Sequence, residues 1–359
     1  MLHLRSSIIA HLLSYPSTFP SSSVQRLLYA TAPRVVPSPR FAVEEYLVDT
    51  SGLTRAQALK GSSSKLTHLK SPSNPDAVLA FLAGLGLSSA EVAALVAKDP
   101  KFLYAGVERV LSPILVGLTG LGLSHSEIAR LVLLVPASFR CRSVVSNLTY
   151  YLSLFGSYEN LRKVLLKCRT NILGSSLENV VKPNVALLLE CGLSASDITK
   201  LCINASWLLS TNLDRLLGMV ACAEGLGVPR GSVLFRHALR AVAFLTKEKV
   251  TAKVEYLKNT LRCSDAEVRI AVSKLPMVLT RSKESLQHTS EFLLSEVGLE
   301  PSYIAHRPAL LCYSLEGRIK PRCYAVMFLK ENGLLKRDPS YYAVVPITEK
   351  VFVEKFICP

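Results

Sequence analysis

LGLSSAEVAALV, residues Leu85–Val96, and LGLSHSEIARLV, residues Leu121–Val132, are nearly the same dodecamer written 36 positions apart. CGLSASDITKLC, Cys191–Cys202, is a third copy. A repeat that goes unnoticed leads to a misread fold, so the period comes first. With the Gly of GLS as phase marker, the series runs Gly86, Gly122, Gly156, Gly192, Gly227, a Gly-less equivalent near Arg262, Gly298 and Gly333. The spacing stays between 34 and 36 residues throughout.

Each unit has a physical reading. An apolar segment such as PDAVLAFLAGLG (Pro75–Gly86) or VKPNVALLLECG (Val181–Gly192) has helical periodicity and stops at Gly, which suits the left-handed C-cap conformation. This is helix A. A serine follows, with an acid three residues on: Ser88 and Glu91, Ser124 and Glu127, Ser194 and Asp197, Ser264 and Glu267. That spacing is a capping box, in which serine and acid each satisfy a free N–H at the start of helix B. The repeated dodecamer is therefore the turn between two helices plus the first turns of the second.

About ten residues later comes a proline with a large apolar residue three positions on: Pro100 with Leu103, Pro136 with Phe139, Pro276 with Leu279, Pro308 with Leu311. Proline ends helix B, and a short 3₁₀ turn is expected to tuck the apolar residue under the next unit. Thr170 with Leu173, Ala205 with Leu208 and Ala241 with Phe244 keep the spacing without proline. The expected fold is all-α: an α-solenoid of seven to eight ~35-residue helix-turn-helix repeats, each closed by a 3₁₀ turn, because neither helix of a unit buries its apolar face alone. The expected divisions are a transit peptide over residues 1–40, a helix (Phe41–Asp49) and Ser-rich linker over 41–74, the repeat array over 75–335 and a Pro-interrupted cap over 336–359.

The first 40 residues contain four arginines, eight serines and no acid, behind the leucine-rich start MLHLRSSIIAHLLSYP. This composition reads as an organellar transit peptide, more mitochondrial than plastid, with chloroplast as the alternative. The longest charge-free apolar run, Val110–Ser126, contains Pro113 and three glycines and is too short to span a bilayer, so no membrane partner is expected. Nine cysteines without a C-x-x-C pair argue against both a disulfide framework and a zinc site. The seven histidines form no pair at ligand spacing, and H-E-x-x-H, G-x-S-x-G and G-x-x-x-x-G-K-[ST] are absent. The expectation is a monomeric protein that is not an enzyme and needs no metal or cofactor.

L-G-L-S, a capping acid and P-x-x-L after helix B together resemble the mitochondrial transcription termination factor (mTERF) family, over roughly Pro75 to the C-terminus. The tail TEKVFVEKFICP (Thr348–Pro359) is also similar to that family's C-terminal segment, and with the presequence the chain resembles a plant organellar member. The resemblance implies a superhelix of two α-helices and a 3₁₀ turn per unit, binding double-stranded nucleic acid along a basic side. It implies roles in organellar transcription termination or initiation, RNA processing and splicing. The missing prolines of units 3, 4 and 5 depart from the family pattern.

The net charge of +15 at a pI near 9.5 favours a polyanionic partner. From Pro75 to Pro229 there are 13 basic and 11 acidic residues, and from Arg230 to Arg337 there are 19 and 10, so the C-terminal half is expected to dominate phosphate contact. Basic residues recur just after the P-x-x-L landmark, as Arg140 and Arg142, Lys247 and Lys249, Arg281 and Lys283, while Arg318, Lys320 and Arg322 lie at the start of the last helix. With Arg169 these form the candidate nucleic-acid-binding set. Solvated loop charge is the competing reading. Layers ~10 Å apart give eight units on the order of 80 Å, about two duplex turns of ~34–36 Å each.

Trp207 is a candidate for base stacking, but the proline-like spacing assigns it the core slot of Phe102, Ile172, Val278 and Leu310, where packing is the simpler role. The expected ligand is organellar double-stranded DNA, the alternative structured RNA, with transcription or splicing proteins as further partners. A scaffold that grips an acidic protein is the third reading.

Overall fold

The computed structural model describes residues 42–167, 172–335 and 337–358. The expected transit peptide, residues 1–40, and Arg169 lie outside the described residues. Among the described residues every regular element is helical. Helices α1 (Val43–Asp49) and α2 (Arg55–Ser64) come first. Units 1 to 4 then contribute α3 (Ser73–Gly84) with α4 (Ser89–Lys98), α5 (Ser112–Gly120) with α6 (His125–Leu134), α7 (Ser143–Phe155) with α8 (Tyr158–Lys167), and α9 (Lys182–Glu190) with α10 (Ala195–Ala205). Units 5 to 7 contribute α11 (Leu213–Gly225) with α12 (Phe235–Val242), α13 (Lys247–Leu261) with α14 (Asp265–Lys274), and α15 (Lys283–Glu291) with α16 (Pro301–His306). An eighth A helix, α17 (Lys320–Glu331), is covered by α18 (Tyr341–Val344) and α19 (Glu349–Phe352). The molecule is an all-α solenoid, as the period predicts.

The four capping boxes form as read. In the first, Glu91 N–H donates to Ser88 Oγ at 3.4 Å, and the Glu91 carboxylate accepts from Ser88 N–H at 2.9 Å. Ser124 with Glu127, Ser194 with Asp197 and Ser264 with Glu267 repeat the exchange. Every phase glycine from Gly86 to Gly333 has positive φ, and the residue that replaces one, Arg262, takes the same left-handed conformation at φ 56°. The turn therefore demands that geometry even where a side chain must bear the strain.

3₁₀ turns close units 1, 2, 3, 4, 6 and 7, at Pro100–Tyr104, Pro136–Arg140, Ile172–Gly174, Ser206–Ser210, Pro276–Thr280 and Pro308–Cys312. Leu103, Phe139, Leu173, Leu209, Leu279 and Leu311 are buried there, in a single core that runs from Leu47 to Val345. A smaller cluster, Val326, Val344 and Phe352, lies beneath the cap.

Three expectations are corrected. In unit 4 no proline stops α10, which runs through Ala205, and the turn starts at Ser206. Leu208 and Leu209 consequently fill the buried slots, while Trp207 is shifted out of the core position assigned to it and is half-buried. In unit 5 only Ala243–Leu245 separate α12 from Thr246, which already caps α13, so a five-residue 3₁₀ turn has no room. Phe244 is not tucked under the next unit but is 63% exposed. Finally, the Ser-rich stretch after Asp49 is not all linker: Thr54 and Gln57 form a capping box that starts α2.

Polar ties, some of them buried, join helix A to the end of its own unit's turn. The Asn74 side-chain amide donates to the Leu103 and Ala105 carbonyls at 2.6 and 3.3 Å, and Asn147 donates to the Leu173 carbonyl at 2.5 Å. Asn184 donates to the Leu208, Leu209 and Thr211 carbonyls at 3.3, 3.2 and 2.8 Å. In unit 6 the Lys253 ammonium reaches the Arg281 carbonyl at 3.2 Å. Each donor satisfies carbonyls that the short turn leaves without partners.

Hydrogen bonds from the capping serines hold the Glu91, Asp197 and Glu267 carboxyls below the usual carboxylate range. A group with a lowered folded pKa stabilises above its unfolded pKa, roughly 4, and that contribution is lost as pH falls through the folded value. Replacing Ser88, Ser194 or Ser264 by Ala is expected to cost about 1 kcal/mol at pH 7. In denaturant titrations repeated toward pH 3, the difference from the parent should shrink.

Candidate nucleic-acid interface

The sequence-selected cations divide by what holds them. Arg140 Nε lies 3.0 Å from Asp99 Oδ2, linking the turn of unit 2 to the residue that precedes the turn of unit 1. Arg142 Nε donates to the Arg109 carbonyl at 2.7 Å. Pro113, four residues after Arg109, has no N–H to offer that carbonyl, and the ladder shifts to a π-type turn over Val107–Leu111. Arg142 supplies the missing donor from the next unit. Lys320 pairs with Glu316 at 2.6 Å.

Arg322 is placed differently from the sequence expectation. It is 1% exposed, the largest fully buried side chain among the described residues. One guanidinium nitrogen donates to the Val344, Val345 and Ile347 carbonyls at 3.1, 2.8 and 2.5 Å, and another to Glu349 Oε2 at 2.8 Å. The group also stands 4.9 Å from the centre of the Phe352 ring. Sequence alone presents a positive charge beside Arg318 and Lys320. The repeat register presents more, since Pro321–Arg322 stands where Pro183–Asn184 stands in unit 4, and Arg322 makes the same tie with a longer arm. It anchors the cap and does not face outward.

The remaining cations stand at the starts of A helices or in the turns just before them. Lys247 and Lys249 lie in the first turn of α13 and are exposed; Lys283 opens α15 and is also exposed. The Lys283 ammonium sits 5.0 Å from the Tyr256 ring centre and the Arg318 guanidinium 5.4 Å from that of Tyr313. Arg281 is half-buried and donates to Ser285 Oγ at 2.7 Å, in a polar hollow that it shares with His288, Ser314 and Glu316. Among the described residues none of these five cations has a carboxylate partner within ion-pair distance. Helix N-termini carry partial positive charge, so the side chains and the backbone dipoles favour an anion at the same edge. Lys98 and Lys274 face elsewhere, capping the following unit's helix B through the Leu133 and Leu134 carbonyls and the His306 carbonyl.

A repeat of two α-helices and a 3₁₀ turn, carried by these motifs, is matched by the mTERF family model over residues 79–235 and 235–353. The chain belongs to the mTERF family. Two Arabidopsis thaliana proteins of this family are similar to it. One, "Transcription termination factor MTEF18, mitochondrial", is 30% identical over 90 residues, which cover 25% of this chain and 16% of the relative. The other, "Transcription termination factor MTERF8, chloroplastic", is 26% identical over 153 residues, or 42% of this chain and 30% of the relative. The matches thus cover less than a third of either mTERF relative's length.

Sequence reasoning missed Arg215, in the first turn of α11, whose guanidinium lies 4.6 Å from the Trp207 ring centre. The signal was the one-residue shift of the unit 4 turn, which no proline marks. Tyr151 is a packing group, buried and donating to the Ile172 carbonyl at 3.0 Å. No helix among the described residues is long and apolar enough to cross a membrane.

Arg322→Met keeps volume but removes every donor to three carbonyls. It is expected to destabilise by on the order of 3 kcal/mol, whereas Lys249→Met should change stability by less than ~0.5 kcal/mol. Thermal unfolding of both variants tests this, and equal losses would return Arg322 to the binding set.

Proposed function

We propose that this chain binds double-stranded nucleic acid, organellar DNA in the first place, through the edge formed by the A-helix starts of units 6 to 8, and that it acts in organellar transcription termination or regulation. The observation that carries this reading is the recurrence of Lys247, Lys249, Arg281, Lys283 and Arg318 at the starts of successive A helices, without carboxylate partners among the described residues. A rail of this kind touches phosphates, which fix position and carry most of the affinity but no sequence information. Arg140, Arg142 and Lys320 join it only from their paired positions, and Arg322 supports the cap beneath it.

The relatives' names support an organellar site of action without deciding between mitochondrion and chloroplast. The leader composition favours the mitochondrion. Binding of this type needs neither metal nor cofactor.

The test is a salt titration of the full chain against duplex DNA of about two turns, with structured RNA of matched length alongside. The logarithm of affinity should fall linearly with the logarithm of salt. Replacing Lys247, Lys249, Lys283 and Arg318 together by Ala should flatten the slope by about 3 to 4 with the melting temperature nearly unchanged. Charge reversal at Arg109 and Arg130 should matter less. Stronger binding to RNA would shift the role to transcript processing or splicing, and no binding to either would favour an acidic protein partner.

A further inference from the structure

The missing turn of unit 5 leaves a cleft between α11 and α13. One part of it, about 730 Å³, is lined by Trp207 and Phe244 among others. A second part, a groove of about 560 Å³, has neither ring among its described lining residues and differs in character. On one side α11 supplies Gly218, Ala221, Cys222 and Gly225, positions i, i+3, i+4 and i+7 of a single helix face. Opposite them α13 presents Lys247, Val250, Thr251 and Val254 at the same spacing, and α14 adds Arg269 and Val272.

Packed helices meet through the side chains at such positions. Those of α11 are absent or small, and a Cβ added at Gly218 or Gly225 would meet nothing within 4 Å. Gly218 costs the helix about 1 kcal/mol relative to Ala, yet no positive φ or close neighbour requires it. The groove is the volume that a row of ordinary side chains would occupy.

Its walls are apolar with a charge of one sign. Val250 and Val272 are buried, and burial raises the Cys222 thiol above its usual range, so that wall is uncharged. Lys247 and Arg269 are exposed cations, and no acid is among the described lining residues. A concave apolar site with one or two charged groups orients an amphipathic ligand of opposite charge. The dimensions select its shape. Seven residues of helix wall run about 10 Å, so a volume of 560 Å³ has a mean cross-section of about 50 Å². A helix with its side chains, about 10–12 Å across, is too wide for it, whereas a single aliphatic chain enters.

We infer that the groove between α11 and α13 binds a monoacyl anion, its aliphatic chain lying along Gly218, Ala221 and Gly225 against the three valines and its carboxylate on Lys247. Such a site stands whether or not the chain binds nucleic acid. A head group seated on Lys247 withdraws that ammonium from the basic edge.

Decanoate, titrated into the full chain below its micellar concentration and followed by calorimetry, should bind at one site. Decanol, with the same chain and no charge, should bind at least ~10-fold more weakly, the equivalent of one charge-assisted hydrogen bond. Butanoate, which keeps the head group without the chain, should not compete at equal concentration. Lys247→Met should erase the difference between decanoate and decanol while both still bind. Gly218→Leu combined with Gly225→Leu fills the groove from two open helical positions and should abolish both. Leucine is the better helix former, so this variant should melt no lower than the parent, which separates loss of the site from loss of the fold. No binding by the parent, several molecules bound per chain, equal affinity for decanoate and decanol, a difference that survives Lys247→Met, or binding that survives the filled groove would overturn the inference.

Discussion

In units 1, 3, 4 and 6 the carbonyl oxygens at the end of the 3₁₀ turn lack backbone partners and take side-chain donors. Asn74, Asn147, Asn184 and Lys253 provide them from helix A, and Arg322 does the same for carbonyls of the cap. The remainder of the architecture depends on that closure. With the turn pinned to its own unit's first helix, Leu103, Leu173, Leu209 and Leu279 stay seated in the core, and the following A helix begins at a fixed place. That place is where the basic edge forms. The polar ties and the position of the cations that precede or open α15 thus follow from one geometry, the short turn that ends most of the repeats.

The elements that were legible in the sequence are those whose signals are local. A capping box is decided by two residues three apart, and a left-handed C-cap by one, so Ser88 with Glu91 and Gly86 could be read directly, and Arg262 could be located by counting. The polar ties span 22 to 31 residues, and no local pattern distinguishes Asn184, which closes a turn, from an Asn exposed on a helix. Arg322 shows the same limit from the side of charge. A guanidinium spent on buried carbonyls and one facing solvent have identical letters, and only register against Pro183–Asn184 separates them. Trp207 was misplaced by a single position because the spacing rule was anchored on a proline that unit 4 lacks.

Of the cations selected from sequence, those in the unit 2 turn work within the protein, while those that open α13 and α15 face outward. The division follows from prolines and acids nearby. Pro113 leaves the Arg109 carbonyl short of a donor, which engages Arg142, and Asp99 engages Arg140. Around Lys247, Lys249 and Lys283 no such demand exists among the described residues, and the A-helix dipoles add to their field. Burial settles the thiols in a similar way: Cys323, beneath the cap, has its thiol pushed up to about 12 by desolvation, which leaves it an apolar filler.

In a solenoid each unit touches only its neighbours, so stability is shared along a line and the weakest junction decides where cooperativity ends. Unit 5 has no 3₁₀ turn and no proline after α12, an exposed Phe244 and a cleft between α11 and α13. Its compensation is local: Gly231 N–H donates to the Cys191 carbonyl at 2.9 Å, drawing the loop before α12 back onto unit 4. One core still runs through α12, so unit 5 is a softer joint within a continuous stack and not a break in it. A protein lying on a stiff, gently curving polymer gains from such a joint, since the two arms can follow the surface without either one unfolding.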